Sequence, residues 1–277
     1  SARMLADGLL AAPGAPRALV LPQAIALPPE TVAAIRAFQA AGGVVVADGV
    51  PGQFDGHGRR LDTPALADLA PHLVALDGMA DALARAGIIA GFSLRQADGS
   101  KAAGIAMRVQ RSGGVTLLTL EQDPADGSAP TAPLGPLELR LAAPASIRDL
   151  RSGRFHASAD HIAVTLDPVT PSLLAISPAP LPKPTLSGPA EAVAGDTVTW
   201  HLALATPDTA AHALRIRLFD PAGRPQDVYS GVRVLHGTGA DWQARFGRDA
   251  PTGRWRIEVT DILSGKMARD TLELKPR

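Results

Sequence analysis

The chain has 277 residues, enough for two or three domains with a substantial core, and its 27 basic residues balance 27 acidic ones. That neutrality gives bulk charge no part in drawing in nucleic acid or an anionic membrane. The absence of cysteine excludes disulfides, thiolate zinc sites and a cysteine nucleophile, and no run approaches the ~18 apolar residues of a membrane-crossing helix. Alanine, glycine, proline and arginine are abundant while lysine, tyrosine and phenylalanine are sparse. With 46% hydrophobic residues, this reads as genomic base bias rather than disorder. The chain opens at Ser1 with neither initiator methionine nor signal peptide, so a mature, excised or truncated product is expected.

In chain order, Ala18–Leu21 is a short apolar run stopped by Pro22, the pattern of a buried parallel strand. Pro28-Pro29 opens a helix, Glu30 suits its first turn, and Val32, Ile35 and Phe38 recur at helical spacing. Gly42-Gly43 ends that helix, and Val44–Ala47 supplies a second strand leaving through Asp48-Gly49. Right-handed crossover makes the two strands parallel. Ligand sites of open α/β sheets lie beyond the carboxyl ends of the strands, which puts the loop Asp48–Arg60 at a candidate site.

The strand ending in Leu21-Pro22, the helix Pro29–Ala41, the Ala41-Gly42-Gly43 turn and the Ala47-Asp48-Gly49 strand end together resemble a known domain. It is the amidotransferase-like trimerisation domain that follows the catalytic barrel in bacterial β-galactosidase-type glycoside hydrolases. Pro51-Gly52, Phe54-Asp55 and His57-Gly58-Arg59 are similar to the loop that follows in larger members. The resemblance implies an assembly role. The family's catalytic carboxylates belong to a barrel that no segment here supplies, so its activity transfers to no residue. Two parallel strands under one helix leave a sheet incomplete, and a preceding segment of a parent protein or a partner chain is expected to complete it.

Thr63–Leu69 and Asp77–Ala86 read as helices, the second burying Met79 and Leu83 and closed by Gly87. After Gly91 the pattern turns to strands: Phe92–Gln96, Gly104–Gln110, Val115–Leu120, Leu137–Leu141, Ser146–Asp149, His161–Leu166 and Ser172–Ile176. Asp98-Gly99 and Ser112-Gly113-Gly114 are hairpin signals. A small antiparallel sandwich is expected. Within it, Ile147–Gly153 resembles a strand–turn of the C-terminal β-domains of the same hydrolases, with Gly153 where positive φ is needed.

Four prolines in Pro178–Pro184 mark a stiff linker. Beyond it, alternating strands at Thr197–Leu204, Leu214–Phe219, Gly231–His236, Asp241–Arg245, Gly253–Thr260 and Ala268–Leu274 have immunoglobulin-like spacing. Val198, Trp200 and Leu202 share one face, as do Trp255, Ile257 and Val259. The expected fold class is α/β plus all-β, with four segments. These are a partial flavodoxin- or amidotransferase-like βαβ layer over 1–90, an antiparallel β-domain over 91–178, a linker at 179–184 and an immunoglobulin-like sandwich over 185–277.

The sequence holds no G-x-S-x-G, H-E-x-x-H, Walker lysine loop or complete G-x-G-x-x-G. Gly237-Thr238-Gly239 is a turn, and no carboxylate pair is fixed as glycoside hydrolysis requires. No metal or other cofactor is implied. Asp48, Asp55, His57, Arg59 and Arg60 form the one polar cluster at a site position, readable as a sugar or calcium site or as a contribution to a neighbouring subunit's active site, but more simply as a solvated loop. Trp200 and Trp255 read as core. Trp242 and Tyr229 are open to a carbohydrate platform.

The function expected is a non-catalytic accessory or assembly region of a bacterial glycoside-hydrolase-like carbohydrate-active protein. A polysaccharide- or protein-binding module acting through the last domain is the alternative, and hydrolysis by this chain alone ranks last. Polysaccharide and a second copy of the chain are the candidate partners besides the completing segment, with nucleic acid and a membrane span excluded. The hydrolase resemblance implies a secreted or periplasmic location.

Overall fold

The computed structural model describes residues 16–68, 78–88, 90–205, 210–237 and 239–277. The chain divides into two compact units after Gly91. In the first unit, strand β1 (Ala18–Leu21) leads to helix α1 (Pro29–Ala40) and strand β2 (Val44–Ala47), and α2 (Met79–Arg85) follows. β1 and β2 pair in parallel, from Ala18 opposite Val44 to Leu21 opposite Ala47. Ile35 and Phe38 of α1 bury themselves against Leu21, Val45 and Ala47, with Leu27 and Leu66 closing the cluster.

Both helices end on the same device. Gly42 N–H donates to Gln39 C=O and Gly43 N–H to Phe38 C=O, while Gly42 holds φ at 89°. Gly87 and Ile88 repeat the pattern on Ala84 and Leu83, with Gly87 at φ 74°. These Schellman caps satisfy the carbonyls that a helix end leaves open. Over its described residues the expected helix at Thr63–Leu69 gives way to a turn that passes into 3-10 geometry at 67–68, with Ala67 N–H donating to Pro64 C=O. Leu69 and Asp77 lie outside the described residues.

The α/β fold class is overturned. The described residues are 49% strand and 10% helix, with two helices among curled β-sheets. The βαβ pattern is local, but a flavodoxin- or amidotransferase-like layer needs further parallel strands, and β1 and β2 form a two-stranded sheet. After Ala47 the chain runs on alongside the exit of β1, with Ala26 and Phe54 in a parallel bridge. Gly52 N–H donates to Ala24 C=O, Phe54 N–H to Ile25 C=O and Leu27 N–H to Phe54 C=O. Those backbone groups are spent on a loop, where a parallel layer would have spent them on a third strand.

The second unit holds two β-modules. The first is a six-stranded antiparallel sheet of β3 (Phe92–Gln96), β4 (Ile105–Ser112), β5 (Val115–Gln122), β6 (Leu134–Asp149), β7 (Phe155–Leu166) and β8 (Ser172–Ser177). β6 runs where two strands were expected. Its first half pairs β3, its last residues pair β8, and register shifts around Arg140–Ala145 bend it between them. Such bulges curl a sheet over its own core, here Leu118, Leu120, Leu139, Ile147 and Leu166. One curled sheet thus stands in place of the expected small sandwich.

The second module is a sandwich. A three-stranded sheet, β9 (Pro184–Ser187), β11 (Thr197–Leu204) and β14 (Gly239–Arg245), faces a five-stranded one. The latter comprises β10 (Glu191–Val193), β12 (His212–Phe219), β13 (Gly231–Leu235), β15 (Gly253–Asp261) and β16 (Met267–Lys275). Every pairing is antiparallel except β10 with β16. Trp200 and Trp255 are each 1% exposed. Phe246 packs edge-on to both, with ring centroids at 6.5 and 4.9 Å.

Candidate functional site

The loop after β2 is ordered by its own turns. Asp55 Oδ1 accepts the backbone N–H groups of His57 and Arg59, each at 2.9 Å, and Asp55 N–H donates to Arg59 C=O. Those two N–H bonds, Arg59 first, hold the Asp55 carboxyl below its ordinary value. Gly58 at φ 80° closes the turn. The side chains of His57, Arg59 and Arg60 are exposed. Asp48 accepts the backbone N–H of Gln23, itself at φ 46°. The two carboxylates therefore serve different backbone groups and share no partner.

Tyr229 and Trp242 are brought together. The indole N–H of Trp242 donates to Tyr229 C=O at 3.3 Å, and the Tyr229 hydroxyl accepts Gly247 N–H at 3.0 Å. The Tyr229 ring packs at 5.0 Å from Phe246 and 5.7 Å from Trp255. Trp242 stands directly across from Trp200 on β11 and lies over Gly231, where a Cβ would sit 2.6 Å from the indole. Both side chains are half-buried flanks of the core, with their polar handles engaged inside the module.

A third location was not singled out from the sequence. Where the two β-modules meet, a cleft of about 330 Å³ opens between β6–β7 and the turn joining β15 to β16. Arg148, the penultimate residue of β6, sends its guanidinium over Gly265, whose Cα has no room for a Cβ because it would lie 2.1 Å from the Arg148 Cζ. The Arg148 Nε is buried without a hydrogen-bond partner, and among the described residues no carboxylate pairs with this side chain. Asp149, its neighbour, is occupied in the β6–β7 turn, accepting Arg151 and Ser152 N–H and the Ser152 hydroxyl. Lys266 reaches the same cleft and donates one of its three protons to Leu181 C=O at 2.6 Å. Phe155, Pro180, Leu181 and Leu263 supply apolar wall.

The cleft sits beside a continuous seam between the modules. Val115, Ala175, Ala210 and Leu263 are buried together, with Leu117, Leu150 and Leu181 packed on them. Ala211 N–H donates to the Ser112 hydroxyl at 2.8 Å, and Ala205 N–H to Lys183 C=O. The proline-rich segment is thus held by Leu181 against the seam and by its Leu181 and Lys183 carbonyls, which accept from Lys266 and Ala205.

Among the described residues no group of three or more histidine or acidic side chains is placed to hold a metal ion. No described helix is long and apolar enough to cross a membrane, which leaves β-barrel spans unaddressed.

No family model and no curated protein matches this chain. Among solved structures, it is similar to the CARDB domain of a Pyrococcus furiosus protein in complex with di-metal ions. That match is 10% identical with a TM-score of 0.26, over 36% of this chain and 98% of the domain. It is also similar to the isomalto-dextranase of Arthrobacter globiformis T6 complexed with panose, at 12% identity and a TM-score of 0.20. There the likeness takes in 87% of this chain and spans 42% of the enzyme's length. At these scores neither likeness assigns this chain a family or an activity.

Proposed function

We propose that the chain is a non-catalytic accessory region of a bacterial carbohydrate-active protein of glycoside-hydrolase type, working as a rigid β-spacer in the periplasm or outside the cell. The observation that carries the spacer role is the seam. Two β-modules share the buried cluster Val115–Ala175–Ala210–Leu263, and the proline-rich segment between them is pinned by Leu181 and Lys183. A linker meant to let modules swing would be solvated and polar. The carbohydrate context rests on the sequence resemblance, carried by the features around Leu21, Phe38 and Ala47 and by the strand–turn ending at Gly153.

Two measurements test this reading. Purified chain incubated with a panel of nitrophenyl glycosides is expected to release no nitrophenol, and turnover that survives repurification overturns the non-catalytic claim. Limited proteolysis is expected to spare the Pro178–Pro184 segment, and rapid cleavage there overturns the rigid spacer.

A further inference from the structure

We propose that the cleft between the two β-modules binds a small organic anion: a carboxylate carried on an apolar body. Among the described residues, two cations and no acid line it. Arg148 has a buried, unpartnered Nε and, among the described residues, no ion pair, and Lys266 keeps two ammonium protons after its bond to Leu181 C=O. A guanidinium left without a carboxylate at the wall of a cavity is a costly arrangement unless an anion completes it. Its planar fork matches the two oxygens of a carboxylate, and an ammonium beside it adds a second, non-directional attraction.

The rest of the wall excludes a bare inorganic ion as the fitting ligand. Phe155 is 54% exposed on the rim, Leu263 is 6% exposed at the floor, and Pro180 and Leu181 close one side. About 330 Å³ lies near the lower end of the volumes that accept small molecules, where apolar walls supply area and a few polar groups fix orientation. Preorganisation is built in. Arg148 is held against the Gly265 backbone, and Ser264 and Lys266 sit on a turn fixed by Asp261, whose Oδ2 accepts Ser264 N–H.

The test uses calorimetric titration of the full chain with 4-phenylbutyrate, with 4-phenyl-1-butanol and with inorganic phosphate. The acid is expected to bind saturably, the alcohol at least about tenfold more weakly, and phosphate without saturation over the same range. Arg148→Gln is expected to weaken the acid by at least about tenfold with the unfolding midpoint retained. Should that variant fold poorly, Ala157→Trp decides, because position 157 is an exposed part of the cleft wall and an indole there fills the space. It is expected to abolish acid binding. Equal affinity for acid and alcohol, phosphate binding as tight as the acid, or acid binding unchanged in Ala157→Trp each overturns the proposal. So does absence of acid binding to the wild-type chain at about 10 mM.

Discussion

The imidazole Nδ1 of His212, at the start of β12, lies 3.0 Å from Oδ1 of Asp261, at the end of β15, and neither side chain has any solvent exposure. Asp261 also accepts Ser264 N–H, and its own backbone closes the β15–β16 turn through Gly265 and Lys266. Burial alone pushes the Asp261 carboxyl upward, but the bonds from His212 and Ser264 outweigh it, and the net value falls below the ordinary 3.8. A carboxyl depressed in the folded state contributes stability that is complete above its unfolded value and fades as pH falls through the folded one. Acid unfolding is therefore expected to steepen below about pH 4, and Asp261→Ala to cost about 3 kcal/mol at neutral pH while flattening that acid limb. Urea titrations of both proteins across pH 2–7 read the two effects together.

Gly43 follows the cap of α1 under the Phe38 ring, and a Cβ there would lie 2.4 Å from ring carbons. Gly43→Ala is expected to cost about 2 kcal/mol through overpacking. At the neighbouring Gly42, nothing crowds a Cβ but φ is 89°; Gly42→Ala is expected to cost about 1 kcal/mol from backbone strain alone. Chemical denaturation of both variants, each with and without Phe38→Leu, separates the causes. Relief by the smaller side chain is expected for the Gly43 variant and not for Gly42.

Legibility followed locality. Period-two alternation placed Trp200 and Trp255 in the core because each strand's neighbours carry that signal within a few residues. Strand Leu134–Asp149 was divided because Ala142-Ala143-Pro144 breaks the alternation, and only the register shift opposite β7 shows one strand bending there. The strands β9 and β10 were missed, being short and flanked by proline and glycine. The opening βαβ segment was read correctly as a segment and wrongly as a fold, since the extent of a sheet depends on where the chain goes after Ala47. In the sequence Arg148 stands out only as part of a strand–turn. Its cleft partners Leu263 and Lys266 lie on a turn of the other module, and no spacing rule connects them.

Leu263 is 6% exposed and joins the seam cluster from the second module's side. Leu263→Ala is expected to cost about 2–3 kcal/mol. It is also expected to split a single calorimetric transition of the second unit into two, because the modules would no longer share a core. Differential scanning calorimetry shows whether one peak becomes two.

Trp242 covers Gly231 and faces Trp200 across the β11–β14 ladder. Trp242→Ala is expected to cost about 2 kcal/mol through lost cross-strand packing. It is also expected to raise amide exchange at Gly231 and Gly247, whose surroundings Trp242 and Tyr229 hold. Hydrogen exchange read by mass spectrometry locates the change.

The parallel β10–β16 pairing, with Glu191, Ala192 and Val193 opposite Glu273, Leu274 and Lys275, joins an early strand of the sandwich to its last one. Ala194 N–H on Lys275 C=O, Glu273 N–H on Ala190 C=O and the Lys275–Glu191 ion pair reinforce it. A tensile load applied between Pro184 and Arg277 would pull these two strands lengthwise past each other, straining all the rungs at once instead of peeling them singly. The pairing therefore resists shear along the strands more strongly than it would resist peeling from one end.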